Sequence, residues 1–401
     1  MRGNRGTVWP SNQEAHAVAL DAAITLATDR VVTPIEETHH VISRRWFAGL
    51  GAPARPVQVA QLAVTKLAYG SVRLGGAVVG ACLEATSVLD ARTEDSIQAL
   101  VTGLWGDDLD RYEDRLDSAM SVRDRLGASV SVASELSAAF PEATGRIIVL
   151  VHGLVETERC WTGPVDGAGL IEALDGNPRL TPVAIRYNSG LRISANGSDL
   201  ARLLEEVYSR WPVPVQSIAL VGHSMGGLVV RSACTAARAA EYRWIDSVGD
   251  LVTVGAPHQG APLEKGVNLA AWGLSKTPFT RPLADFLNRR SVGIKDLRYG
   301  AIAESDWKGA DPDALWHDTV GDHALAPGVS HHFVAAAVTS DPTHPVGVAV
   351  GDLVVPVASG TAKGRLDPTN VVVVGGKRHG DLLGDSVVIN QVMDWLTPRA
   401  R

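Results

Sequence analysis

Residues 217–227 read Ser-Ile-Ala-Leu-Val-Gly-His-Ser-Met-Gly-Gly, an apolar run that enters G-x-S-x-G and leaves into an alanine-rich stretch. Strand, then this pentapeptide, then helix is a demanding layout. It requires a sharp turn with a serine hydroxyl exposed at its tip, and small flanking residues to let the backbone turn. Gly222 and Gly226 supply that room, and the helix that follows directs its positive end at Ser224. A bare G-x-S-x-G arises by chance in a chain with 40 glycines. The apolar strand before it and the helix after it set this one apart.

The surrounding sequence has the rhythm such a turn needs. From Met120 onward, short β-branched runs alternate with amphipathic helices, which predicts an α/β fold with a mostly parallel central sheet flanked by helices. The expected strands are Arg146–Val151, Pro182–Arg186, Ser217–Val221, Leu251–Gly255, Phe333–Val338 and Asn370–Val374. Asn196 is placed to cap a helix in which Leu200, Leu203, Leu204, Val207 and Trp211 share a face. A last helix carries Val388, Val392, Trp395 and Leu396. Residues 1–115 read as a helical extension, with helices over Asn12–Asp29 and on to Trp46, and an apolar face at Val57, Ala60, Val64, Leu67 and Ala68. Residues 116–401 form the expected catalytic domain. Within it, residues 262–330 break the alternation and are expected to form a cap-like insertion, with Trp272, Phe279, Phe286 and Trp307 as its apolar members.

The run Ile147-Ile148-Val149-Leu150-Val151-His152-Gly153-Leu154 ends a strand in His-Gly. Upstream of a serine elbow, that loop can offer a backbone N–H to a developing oxyanion. The expected donors are the N–H groups of Leu154 and Met225, and His152, Gly153 and His223 are expected to border the substrate. The base and acid follow the serine in chain order. His379 lies in a loop after the Asn370 strand and before the last helix, where the base belongs. Asp352 precedes it by 27 residues and follows the Phe333 strand. Asp341 is the competing acid, and Asp381 and Asp385 read as first-turn helix residues. His344 sits in a turn, His258 reads as a wall of the pocket, and the adjacent pairs His39-His40 and His331-His332 diverge on any regular element.

Composition narrows the alternatives. With 37 Lys and Arg against 44 Asp and Glu, the net charge is −7, which disfavours a nucleic-acid partner. Cys82, Cys160 and Cys234 are three widely spaced cysteines, neither a disulfide framework nor a zinc pattern. No metal or cofactor is expected. The longest apolar run, residues 74–83, is too short to span a bilayer, and no signal sequence is evident, so the expectation is a cytoplasmic protein of undetermined oligomeric state.

Taken together, V-H-G-L at 151–154, R-Y-N-S-G-L at 186–191, G-H-S-M-G-G-L-V at 222–229, G-A-P-H-Q-G-A-P at 255–262 and G-D-L-V-V-P-V at 351–357 resemble the α/β-hydrolase superfamily. The nearer resemblance is to its bacterial lipase and esterase branch, related to GPI inositol-deacylase-like hydrolases. The resemblance implies a triad of Ser224, Asp352 and His379, with the oxyanion hole at Leu154 and Met225, acting on a small-molecule or lipid ester. One departure is Leu353, where that branch often has glycine. An acyltransferase using the same triad, or a silent scaffold that only binds, would share most of these features.

Overall fold

The computed structural model describes residues 91–107, 119–163, 169–261, 290–309 and 323–397, together with single residues between them and scattered helical positions from 28 to 73. The chain divides into two compact units, residues 1–118 with 269–290, and residues 119–268 with 291–401. In the first unit, helix α1 spans Ala91–Trp105. Arg73 pairs with Glu36 at 2.8 Å there, tying two helical positions far apart in sequence. The expected apolar face from Val57 to Ala68, and residues 12–27, lie outside the described residues, as do Trp272, Phe279 and Phe286.

The second unit is built on one eight-stranded sheet: β1 (Ser121–Arg123), β2 (Ser129–Val130), β3 (Arg146–Val151), β4 (Thr181–Arg186), β5 (Ser217–His223), β6 (Val248–Val254), β7 (Ser330–Ala337) and β8 (Asn370–Gly375). Their order is β2-β1-β4-β3-β5-β6-β7-β8. β1 runs antiparallel to both its neighbours, and β4, β3 and β5 through β8 are parallel. All six expected strands are present. β6 and β7 each begin three residues before their expected starts, at Val248 and Ser330. β1 and β2 were not expected, because two or three residues carry no readable periodicity.

The parallel strands are apolar on both faces because helices cover both. Ile147, Val149 and Val151 enter one layer, and Ile148 and Leu150 the other. The first layer packs on α3 (Ile193–Arg210) and α4 (Met225–Ala239), and the second on α2 (Leu170–Asp175) and α5 (Ser386–Leu396). This is the mostly parallel sheet flanked by helices that the strand–helix alternation pointed to.

Helix α3 corrects one expectation. Asn196 does not cap it; the helix starts at Ile193, and Asn196 is buried inside its first turns with its amide donating to the Asn188 carbonyl at 2.9 Å. The cap comes from a distant residue. The Asp296 carboxylate accepts the Ile193 N–H at 3.0 Å and pairs with Arg192. Trp307 packs at the same end, its indole N–H donating to Ser194 Oγ at 2.9 Å beneath the Arg192 guanidinium. Among the described residues, no helix is long and apolar enough to cross a membrane.

The topology fixes where a ligand can enter. From β3 the chain crosses to β4 on one side, then returns to β5 on the other side of β3. The loops leaving the carboxyl ends of β3 and β5 therefore part, and open sheets bind ligands in the crevice that results.

Candidate active site

The end of β5 carries the serine. Ser224 stands between strand and helix with φ 52° and ψ −123°, a conformation L-residues avoid. Its N–H donates to the Val254 carbonyl at 2.8 Å, and its carbonyl accepts from Gly227 N–H at 3.0 Å, so both neighbouring strand and helix hold the strained residue. Side chains at the flanking glycines would destroy the turn. A Cβ at Gly222 would lie 2.5 Å from the Gly226 backbone, and one at Gly226 would lie 2.2 Å from the Val151 carbonyl oxygen.

Two later loops meet this serine. His379 opens a short 3-10 turn after β8, and its Nε2 lies 2.9 Å from Ser224 Oγ. Its Nδ1 lies 2.7 Å from Asp352 Oδ2. Asp352 is 1% exposed, and its other oxygen accepts the N–H groups of Val354 and Val355 at 3.0 and 2.8 Å. Those two donors fix the plane of the carboxyl group and leave Oδ2 facing the imidazole. With an acceptor at Nδ1, the imidazole carries its proton there and turns an unprotonated Nε2 toward the hydroxyl.

The same loop stores strain. Leu353 sits at φ 81° and is 59% exposed. This is the position where the lipase branch often has glycine, and a side chain in the left-handed region explains why glycine suits it.

The loop after β3 faces the serine from the opposite side. A Cβ at Gly153 would approach Ser224 Cβ to 3.0 Å, so only glycine allows this approach without displacement. The Gly153 N–H is taken, donating to Glu156 Oε2 at 2.7 Å. The N–H groups of Leu154 and Met225 have no acceptor among the described residues. Val155 has φ 56°, a left-handed conformation that costs a β-branched residue on the order of 1–3 kcal/mol. Its N–H donates to Ser189 Oγ at 3.2 Å.

His152 and His223 are both buried. His152 Nδ1 donates to the Gly153 carbonyl at 2.8 Å, and its Nε2 accepts the Tyr187 N–H at 3.3 Å. Tyr187 returns the contact from its hydroxyl to the His152 carbonyl at 2.9 Å. His223 Nδ1 lies 2.9 Å from the same Glu156 oxygen that holds Gly153, and its ring leans on His379 with centroids 5.0 Å apart.

Burial and charge act against each other here. Desolvation would raise the Glu156 pKa, but the His223 charge and the two hydrogen bonds hold it down to about 2. Burial would lower His223, and Glu156 more than offsets it, so its pKa is raised. Burial, reinforced by Glu156, lifts the Cys160 thiol well above its ordinary range. His152, with burial dominant, is shifted down and stays neutral.

Other singled-out residues lie elsewhere. Asp341 turns its exposed carboxylate onto Thr343, accepting its N–H and hydroxyl at 2.8 and 2.7 Å. His344 caps the short helix Pro345–Val350 through the Val346 N–H. Asp385 caps α5, and Asp381 accepts the Arg378 N–H at the turn bearing His379. His258, read from sequence as a pocket wall, is a core residue: it stacks on Phe333 at 4.1 Å and bonds Thr253 and Arg231. His331 and His332 diverge, with His332 pairing with Asp250 at 2.9 Å. His39 and Cys82 lie outside the described residues. Sequence reasoning missed Glu156, and also Glu158, which holds Arg186 through two 2.6 Å hydrogen bonds. A carboxylate three residues beyond a strand-end His-Gly was the available signal.

The chain is similar to the lipase BlEst2 of Bacillus licheniformis in its mature form, with 19% identity, 63% of this chain and 91% of that one covered, and a TM-score of 0.41. It is similar also to a lipase-esterase related protein of Clostridium acetobutylicum, with 10% identity, 69% and 98% covered, and a TM-score of 0.39. No curated protein matches the sequence. The sheet and its serine turn give this chain an α/β-hydrolase fold, and its residues 198–308, from within α3 through Ser224 to the turn after Trp307, match the PGAP1-like alpha/beta domain family.

Proposed function

We propose that this protein is a serine hydrolase that cleaves carboxylic esters of small molecules or lipids. One observation carries the reading: the His379 imidazole lies between the Ser224 hydroxyl and the buried Asp352 carboxylate, within hydrogen-bond distance of both. A nucleophile, a base and a group that orients the base in line are the parts acyl transfer needs.

In this reading, His379 Nε2 takes the Ser224 proton as Oγ attacks the ester carbonyl carbon. The carbonyl oxygen becomes an oxyanion between the free N–H groups of Leu154 and Met225, the latter at the positive end of α4. Asp352 stabilises the imidazolium. Collapse of the tetrahedral intermediate breaks the carbon–alkoxide bond, and His379 returns the proton to the departing alcohol. A water molecule then attacks the acyl-enzyme by the same route and releases the acid. Gly153 borders the substrate by having no side chain, whereas His152 and His223 act through the backbone they hold.

Hydrolysis of p-nitrophenyl esters of increasing acyl length tests the reading. The parent should release p-nitrophenol above background, and Ser224→Ala should not. The profile separates a short-chain esterase from a lipase. A folded Ser224→Ala protein with most of the parent's activity would contradict the assignment.

A further inference from the structure

Glu156 joins the two segments that would form the oxyanion hole. A single oxygen, Oε2, accepts the Gly153 N–H at 2.7 Å and lies 2.9 Å from His223 Nδ1. Gly153 is the residue before Leu154, and His223 is the residue before Ser224, whose successor is Met225. One carboxylate thus ties the loop after β3 to the turn after β5, each one or two residues from a free N–H.

The surroundings make this tie decisive. His223 is 1% exposed and its Nε2 has no hydrogen-bond partner among the described residues, so the hydrogen bond that orients its ring is the one from Nδ1 to Glu156. The ring in turn leans on His379. The loop holding Glu156 is strained at Val155, which a relaxed loop would abandon. Glu156 and the Ser189 hydroxyl accept the N–H groups of this turn, from Gly153 and Val155 respectively. The carboxylate strengthens its contact with His223, because its hydrogen bond to the buried imidazole lies largely away from water.

We infer that Glu156 and His223 are positioning residues, a clamp that holds the Leu154 and Met225 N–H groups at the spacing an oxyanion requires. The inference rests on the hydrolase reading above. Neither residue touches the reacting atoms; both act through the backbone. The clamp predicts an effect on the transition state and little on substrate binding, because a ground-state ester has no oxyanion to hold.

The test compares Glu156→Ala and Glu156→Gln with the parent in p-nitrophenyl butyrate turnover, in the rate of fluorophosphonate labelling, and in thermal unfolding. Loss of the donor geometry in Glu156→Ala should lower kcat on the order of 100-fold, as loss of one oxyanion donor does. KM should stay within about twofold, and labelling should slow in parallel because the phosphonyl oxygen occupies the same hole. Glu156→Gln keeps an acceptor for Gly153 and loses the charge, so it should recover part of the rate, to roughly tenfold below the parent. If Glu156→Ala does not fold, Glu156→Gln decides alone. A folded Glu156→Gln protein within twofold of the parent in both kcat and labelling, or a loss confined to KM, overturns the clamp. Failure of the parent itself to label would instead overturn the hydrolase reading, and the clamp with it.

Discussion

Asp352 and His379 are joined twice. The His379 backbone N–H donates to the Asp352 carbonyl at 3.0 Å, while the imidazole Nδ1 meets the Asp352 carboxylate at 2.7 Å. The backbone bond holds the two loops in register whatever the side chain does. Asp352→Asn should therefore preserve the fold and present the wrong hydrogen-bonding face to the imidazole. Turnover of a p-nitrophenyl ester should fall on the order of 10³- to 10⁴-fold. Asp341→Asn, whose exposed carboxylate accepts from the Thr343 N–H and hydroxyl, should change turnover less than about twofold. Steady-state kinetics of the two variants check this, and the reverse pattern would move the acid role to Asp341.

Leu353 pays a backbone cost beside Asp352. It stands at φ 81° with its side chain mostly in solvent, so replacing it loses little packing. A left-handed conformation disfavours an L-residue by roughly 1–2 kcal/mol, while glycine adds about 0.4–1 kcal/mol of entropy to the unfolded chain. Leu353→Gly should gain on the order of 0.5–1 kcal/mol of stability. Urea unfolding measures it, and a loss of stability would show that Leu353 makes contacts worth more than the strain.

His331 gives the protein an acid-labile element. Burial lowers its pKa from 6.5 to about 4, and burial lowers His258 as well. Both are neutral in the native state and protonate in the unfolded chain. The unfolded state therefore binds more protons between about pH 6.5 and 4, and stability present above that window is lost as pH falls through it. His331 alone accounts for up to about 3 kcal/mol of that loss. Urea midpoints measured from about pH 7 down to 4.5 should fall, and His331→Gln should fall less steeply. An unchanged slope in His331→Gln would show that His331 is not the group responsible.

The parts of this molecule legible in the sequence are the local ones. The apolar run of β5 and the glycines beside Ser224 announce a strand and a tight turn within eleven residues, and the positions of Asp352 and His379 follow from where strands end. What was not legible depends on partners brought together by folding. Asp296 caps α3 from 103 residues away, so the local cap signal at Asn196 misled. Glu156 meets His223 across 67 residues, and no periodicity encodes that. Strands β1 and β2 exist because a neighbouring edge accepts them, not because their own residues insist on extended structure.

Activation of Ser224 by His379 is the step on which the proposed hydrolysis depends. Mass spectrometry of the intact chain and its peptides after treatment with a fluorophosphonate tests it most directly. The parent should carry one adduct, on Ser224, and His379→Ala, folded by circular dichroism, should remain essentially unlabelled over the same interval. An unlabelled parent, an adduct on another serine, or equal labelling of His379→Ala would contradict the account.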